Sequence, residues 1–175
     1  TSVAAYHGYN YLLARENLTD HLPKNKKNKK VRQRLLKIRA KKVIVATGSL
    51  ERPLVFNNND RPGIMLSSAV KKYADYYGVA TGQKNIFFNN NDTAYESAIS
   101  LQKKGIKVEA IIDIREKSNT IFTKQAEDLG IKIYRSRTVV NTEGYKKINK
   151  ITIMELSKDG QSFASSEKIE LDCDC

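Results

Sequence analysis

Apolar residues recur in different rhythms along this chain, and each rhythm predicts a different element. From Thr1 to Leu18 they alternate with small or polar residues around Gly8, through Val3, Tyr6, Tyr9, Tyr11 and Leu13, which predicts a β hairpin. Arg34 to Ala40, RLLKIRA, adds a strand. Val43 to Gly48, VIVATG, is apolar until a small-residue turn, the pattern of a short strand buried on both faces of a parallel sheet. The character then changes. Leu50 to Leu66 carries Pro53, Pro62, Gly63 and the run Asn57, Asn58, Asn59, Asp60, the punctuation of a connector. A domain boundary is expected there, giving 1–49, a connector with one helix over 50–82, and a second domain over 83–175. The connector's helix runs from Ser67, a candidate cap, to Tyr77, with Val70, Tyr73, Ala74 and Tyr77 on one face and Gly78 as its stop.

Between Lys84 and Glu116 the chain reads KNIFFNNNDTAYESAISLQKKGIKVEAIIDIRE. The order is strand, tight turn, helix and second strand, as in a dinucleotide-binding βαβ unit. Asparagines stand where glycines are expected. Aligned on G-x-G-x-x-G/A, the small-residue positions fall on Asn89, Asn91 and Ala94. Glycines there allow positive φ and close approach of the backbone to a pyrophosphate, and asparagine is the commonest other residue to tolerate positive φ. The turn is therefore expected to keep its shape and lose its room, with the Asn91 carboxamide projecting into phosphate space. The unit is either an emptied nucleotide domain or one with an altered ligand.

Its helix, Thr93 to Lys104, stacks Ala94, Ala98 and Leu101 and ends at Gly105. A strand over Val108–Ile114, a short helix over Thr120–Leu129 stopped by Gly130, and a strand over Ile131–Tyr134 follow. Lys147–Leu156 and Ser166–Leu171 then read as antiparallel strands joined at Asp159 and Gly160, a small β meander. The fold class is α/β and Rossmann-like.

Composition narrows the function. At 175 residues and 40% hydrophobic content the chain can bury one good core or two small ones. No apolar stretch reaches membrane-span length and no basic-then-apolar leader opens it, so a cytoplasmic protein without membrane contact is expected. Cys173 and Cys175 are the only cysteines and His7 and His21 the only histidines, without ligand or disulfide-framework spacing, so no metal is expected. Of the net charge of +12, eleven units lie on Lys24, Lys26, Lys27, Lys29, Lys30, Arg32, Arg34, Lys37, Arg39, Lys41 and Lys42. The run KNKKNKK has no interleaved aromatics, so a solvated loop is preferred to a nucleic-acid surface.

No Ser/His/Asp set, H-E-x-x-H helix, Walker loop or C-x-x-C pair occurs, so no self-contained catalytic centre is expected. Two candidate cofactor positions remain. Asp113 lies ~20 residues beyond the turn at a strand end, where a dinucleotide fold places the carboxylate that bonds a ribose; a strand-end aspartate in solvent is the other reading. Thr47 and Gly48 offer small groups and backbone at the end of the VIVATG strand, where ligands collect in open α/β sheets.

The motif series VIVATGS, ERPLVFNNNDRPGIM and the NNND turn resembles the α subunit of heterotetrameric sarcosine oxidase, one of the flavoproteins with two nested FAD/NAD(P)-binding domains. The hairpin TSVAAYHGYNYLLAREN and RLLKIRAKKV fit the same lead-in, so the resemblance covers nearly the whole chain. It implies an oxidoreductase that oxidises sarcosine to glycine, with hydrogen peroxide and a one-carbon unit passed to tetrahydrofolate. It implies NAD in the first domain of the α subunit, lined here by Ala46, Thr47 and Gly48, and a folate region elsewhere in that subunit. FAD is implied in the β subunit, FMN at the α/β interface, and the β and smaller subunits as partners. The absence of an initial methionine, of a first G-x-G-x-x-G and of a folate region implies a fragment, inactive alone, that serves as nucleotide-binding scaffold and subunit interface.

Two alternatives remain. One is an NAD(P)H-dependent pyridine nucleotide-disulfide-type reductase domain, which needs redox cysteines and a glycine-rich second motif. The other is a non-enzymatic basic binding module using Lys24 to Lys42. Like charges in that tract repel and favour an extended chain. Limited trypsin digestion is therefore expected to cut first between Lys24 and Arg34, leaving a large C-terminal piece; earliest cleavage at Lys103 or Lys104 contradicts the solvated-loop reading.

Overall fold

The computed structural model describes residues 2–23, 31–118 and 120–175, so the KNKKNKK run, residues 24–30, lies outside the described residues. Thr1–Ser49 and Leu50–Cys175 form two compact units. In the first, β1 (Ser2–Tyr6), β2 (Tyr11–Asn17) and β3 (Gln33–Arg39) form an antiparallel sheet in the order β1-β2-β3. The hairpin turn is left-handed at Gly8, Tyr9 and Asn10, with φ of 82°, 46° and 57°. Tyr11 N–H donates to Gly8 O across it, and the Asn10 amide holds Lys41 O. The basic stretch after residue 30 is not free of acidic partners: Arg32 pairs with Asp20 at 2.7 Å and Arg34 with Glu16 at 2.5 Å.

The buried parallel strand expected over Val43–Gly48 does not form. Those residues have no regular structure, and Ile44 and Val45 are 91% and 77% exposed. The physical reason is pairing. Among the described residues the run pairs with no strand, and without a neighbour an apolar run has no ladder to complete.

The second unit is layered. β4 (Asn85–Asn89), β5 (Val108–Asp113) and β6 (Lys132–Arg135) make a parallel sheet in that order, with Phe87 opposite Ile111 and Ile111 opposite Ile133. Successive side chains point to opposite faces. Phe87, Val108, Ile111 and Ile133 meet α1 (Ser67–Tyr77), α2 (Thr93–Lys103) and α3 (Ile121–Asp128) through Val70, Ala94, Tyr95, Ala98, Leu101 and Ala126. Ile86, Phe88, Ala110, Ile112 and Tyr134 meet the second layer, an antiparallel meander of β7 (Arg137–Glu143), β8 (Lys150–Leu156) and β9 (Phe163–Asp172), through Val139, Ile151, Ile153, Ile169 and Leu171. Parallel strands covered on both faces read as near-continuous apolar runs, which is why IFF and VEAII carry so little alternation.

Local signals place most of these elements. Gly78, at φ 65°, closes α1 with its N–H on Tyr73 O, and the Thr120 side chain accepts from Thr123 N–H at the start of α3. Ser67 is not the side-chain cap of α1. Glu51 reaches across instead, accepting from the N–H groups of Ser67 and Ser68 at 2.9 Å each and from the Ser67 hydroxyl at 2.6 Å. Burial raises the Glu51 pKa, but these donors outweigh it and hold the carboxyl below its ordinary value. The face of α1 is also narrower than its spacing suggested: Val70 is buried, while Tyr73 and Tyr77 are half exposed.

The segment before α1 is built into the unit. Asn57 and Asn58 both donate to the Asn141 side chain, Thr142 Oγ1 donates to Asn58 O, and Ile148 N–H donates to Pro62 O at 2.8 Å. Arg61 adds bonds to Gly144 O, Thr142 O and Thr142 Oγ1. The residues from Asn57 to Pro62 thus strap the β7 edge of the meander. Among the described residues no helix is long and apolar enough to cross a membrane. Arg61→Ala is expected to lower the stability of this unit by about 2 kcal/mol, the scale of hydrogen bonds to a partly buried charge; a thermal melt unchanged from wild type contradicts a holding role for the strap.

Candidate nucleotide-binding site

In an open parallel sheet the ligand crevice lies beyond the carboxyl ends of the strands. Here that edge is formed by Asn89 at the end of β4, Asp113 opposite it at the end of β5, and the first turn of α2. Asn89 falls on the helix-facing side with Asn85 and Phe87, is 4% exposed, and has a carboxamide bonded to no other described group. Asn91 does not reach outward. Its Oδ1 accepts from Thr93 N–H at 3.0 Å and Thr93 Oγ1 at 2.6 Å, and its Nδ2 donates to Asn90 Oδ1 at 2.9 Å. The side-chain oxygen thus takes a backbone donor at the head of α2, one of the four N–H groups an α-helix leaves unpaired there.

The expectation of positive φ at the asparagines is not met. Among the described residues, those other than glycine with positive φ are Tyr9, Asn10, Asn58 and Ser136, so Asn89, Asn90 and Asn91 all keep ordinary backbone angles. The reason lies in the hydrogen bonds. A turn closed by an Asn side chain onto the N–H two residues on is stable without a left-handed residue, so no glycine is needed.

Asp113 is neither in solvent nor open to a ribose. It is fully buried, and Arg115 binds it through three groups: backbone N–H to Oδ1 at 2.9 Å, Nε to Oδ1 at 3.0 Å, and Nη2 to Oδ2 at 2.8 Å. Tyr95 of α2 donates its hydroxyl to Oδ2 at 2.8 Å and lies 3.3 Å from Ser118 Oγ. Arg115 Nη2 also stands 2.8 Å from Asp92 Oδ1, an ion pair whose angle falls short of a hydrogen bond. One guanidinium therefore ties the end of β5 to the head of α2.

Burial raises the Asp113 pKa, and the hydrogen bonds of Arg115 and Tyr95 outweigh it, so the carboxyl stays below its ordinary value. Burial and the Asp113 carboxylate together push the Tyr95 phenol up to about 12, against a lowering contribution from Ser118. Tyr95 thus remains a neutral donor throughout the physiological range. Arg115 is raised, first by its hydrogen bond to Asp113.

Ala46 and Thr47, in the first unit, are exposed and belong to no strand, and Gly48 has φ 69° with open space where a side chain would stand. Cys173 is a free, buried thiol, pushed up to about 12 by burial and neighbouring carboxylates; Cys175 is free as well, and raised chiefly by burial. Among the described residues no group of three or more His, Cys, Asp or Glu could hold a metal. Sequence reasoning missed Tyr95, Arg115 and Ser118. The available signal was Asp113-x-Arg115 at a strand end, a carboxylate and a cation two residues apart.

Comparison with solved structures shows the fold. The chain superposes on thioredoxin reductase from T. acidophilum with a TM-score of 0.52 over 73% of this chain and 40% of that one, at 16% identity. On an FAD-dependent pyridine nucleotide-disulphide oxidoreductase from Desulfovibrio vulgaris the score is 0.50 over 95% of this chain and 38% of that one, also at 16% identity. The fold is the Rossmann-like FAD/NAD(P)-binding fold of two-domain flavoproteins, with a β meander.

The sequence relationship is more specific. The chain is 35% identical to the sarcosine oxidase α subunit of Corynebacterium sp. (strain P-1) over 98% of its length, and 40% identical to that of Rhizobium meliloti (strain 1021) over 69%. The resemblance read from its motifs is borne out. The chain spans 18% and 12% of these two curated relatives, and no family model matches it.

Removing the guanidinium leaves a buried carboxylate without its counter-charge, held only by the Tyr95 hydroxyl and a backbone N–H, so Arg115→Met is expected to cost about 3 kcal/mol in chemical denaturation. The pH dependence has a definite sign. A lowered carboxyl pKa stabilises the fold above the unfolded value near 4 and loses that contribution as pH falls through the folded value. Asp113→Asn should flatten the acid limb of stability against pH; an acid limb as steep as in wild type contradicts the assignment.

Proposed function

We propose that this chain is a segment of the α subunit of a heterotetrameric sarcosine oxidase. Within it, Leu50–Cys175 acts as scaffold and subunit interface and not as a nucleotide site. The observation that carries the second half is the closed head of α2. Asn91 occupies the Thr93 donor that an unblocked helix offers to an anion, and Arg115 with Tyr95 saturates Asp113. A dinucleotide does not fit these residues as they stand. Its pyrophosphate would displace the Asn91 oxygen, and its ribose would have to take Asp113 from two donors in a buried site.

The first half rests on identity over nearly the whole chain with sarcosine oxidase α subunits. On this reading the enzyme oxidises sarcosine to glycine, releases hydrogen peroxide and transfers a one-carbon unit to tetrahydrofolate. FAD belongs to the β subunit, FMN lies at the α/β interface, and NAD lies in the first domain. Ala46, Thr47 and Gly48 suit a lining role there, since small side chains and an unobstructed positive-φ glycine leave the backbone approachable. NAD, when bound, would supply hydride-accepting capacity; these three residues would supply contact and orientation only. The subunit would work in the cytoplasm.

A disulfide-type reductase fits less well, because such chemistry needs a thiolate and both cysteines are held toward the thiol. Replacing the matching segment of a sarcosine oxidase α subunit with residues 1–175 is expected to give an assembled complex that releases peroxide from sarcosine. Failure to assemble or turn over, beside an active parent complex, contradicts the reading. The isolated chain is expected to bind NAD+ no tighter than millimolar at the head of α2, and a dissociation constant in the low micromolar range that shifts the amide resonances of Asn91 and Thr93 contradicts the closed head of α2.

A further inference from the structure

The helix-facing side of β4 carries asparagines at both ends of an otherwise apolar layer, and the fold treats them differently. Asn85 donates from Nδ2 to Gly82 O at 3.1 Å and to Lys107 O at 2.9 Å. Asn89, 4% exposed, has neither Nδ2 nor Oδ1 bonded to any described group. The residues that bury it belong to this chain, so further polypeptide can only deepen the burial. Three residues on, Asp92 stands at the N-cap position of α2, and its Oδ1 is likewise buried without a hydrogen bond, Arg115 Nη2 being close at 2.8 Å but misaligned. A buried carboxamide without partners is costly, and native folds rarely keep one.

The neighbouring side chains are already engaged. Asn91 Nδ2 bonds Asn90 Oδ1, and Asn91 Oδ1 takes the Thr93 N–H and hydroxyl. The Asp113 oxygens take Arg115 and Tyr95. The backbone carbonyl of Asn89 is used as well, by Ile114 N–H at 3.2 Å. What remains where β4 passes into α2 is a donor and an acceptor on Asn89 and an acceptor on Asp92.

We propose that internal water is held beneath the asparagine turn, on the carboxamide of Asn89, and bridges it to Asp92 Oδ1. The chemistry of the unpaired groups selects the occupant. It must both give and take hydrogen bonds, and it must be neutral: an anion would meet the Asp92 carboxylate, and a cation would compete with Arg115 for it. Water accepts from Asn89 Nδ2 and donates to Asn89 Oδ1 and Asp92 Oδ1, within the two to four partners an internal water ordinarily has. This hydration ties the end of β4 to the head of α2, as Arg115 ties the end of β5 to it. A glycine at position 89 would carry no polar side chain to hydrate, so the site is a consequence of the asparagine.

In a 15N-labelled sample of the 175-residue chain, the Asn89 side-chain amide protons are expected to show a cross-relaxation peak at the water frequency with the sign of bound, not bulk, water. Asn89→Leu, close in size and without the amide, is expected to lose that water and lower the urea midpoint at unchanged slope, because Asp92 Oδ1 loses its partner. A dry carboxamide predicts the opposite, since removing unsatisfied polar atoms from a buried position stabilises a fold. Absence of the water peak at Asn89 in the wild-type chain overturns the proposal, as does a midpoint raised by Asn89→Leu. The wild-type peak decides alone if the variant does not fold.

Discussion

A single buried carboxylate organises the ligand edge of the second unit. Asp113 sits at the end of β5 with no exposure to solvent, and a charge in that position is tolerable only when paired and hydrogen-bonded. Arg115 supplies the charge and Tyr95 a further donor, and the second ion pair of Arg115, with Asp92, ties the strand end to the head of α2. Loss of Arg115 would leave Asp113 without a counter-charge, and loss of Tyr95 would remove one of its donors. The parallel sheet, the α2 helix and the turn between them are therefore held in one arrangement.

That arrangement explains how a dinucleotide fold persists without its glycines. In a glycine-rich turn the backbone is shaped to leave the helix head open, and an incoming phosphate satisfies its N–H groups. Here the chain satisfies a donor internally through Asn91, and the turn keeps ordinary backbone angles. The architecture is preserved because its stability comes from the apolar layers on both faces of β4, β5 and β6, which do not depend on the ligand. What changes is the availability of the crevice.

Much of the fold was legible because it rests on local signals. The periodic helices, Gly78 and Gly130 as stops, the Thr120 cap and the apolar β4 and β5 all follow from spacing and residue type. β7 escaped notice because RTVVNTE is β-branched but only weakly alternating, and its role is defined by the meander it edges. Val43–Gly48 misled for the converse reason: its apolar run has no partner strand in the described unit. At the site, the positions of Asn91 and Asp113 could be read from the motif, but not the directions of their side chains. Those are set by Thr93, Tyr95 and Arg115, whose approach is a property of packing. Glu51, sixteen residues before the helix it caps, is likewise invisible to a rule that looks for caps next door.

The central claim is that the head of α2 is already occupied by the chain's own amide. Its most direct test is the backbone resonance of Thr93 in a 15N-labelled sample titrated with inorganic pyrophosphate. The account predicts that Thr93 and its neighbours in the first turn of α2 stay unshifted into the millimolar range. A saturable shift of Thr93 at lower concentration, moving together with the Asn91 side-chain amide, would contradict it.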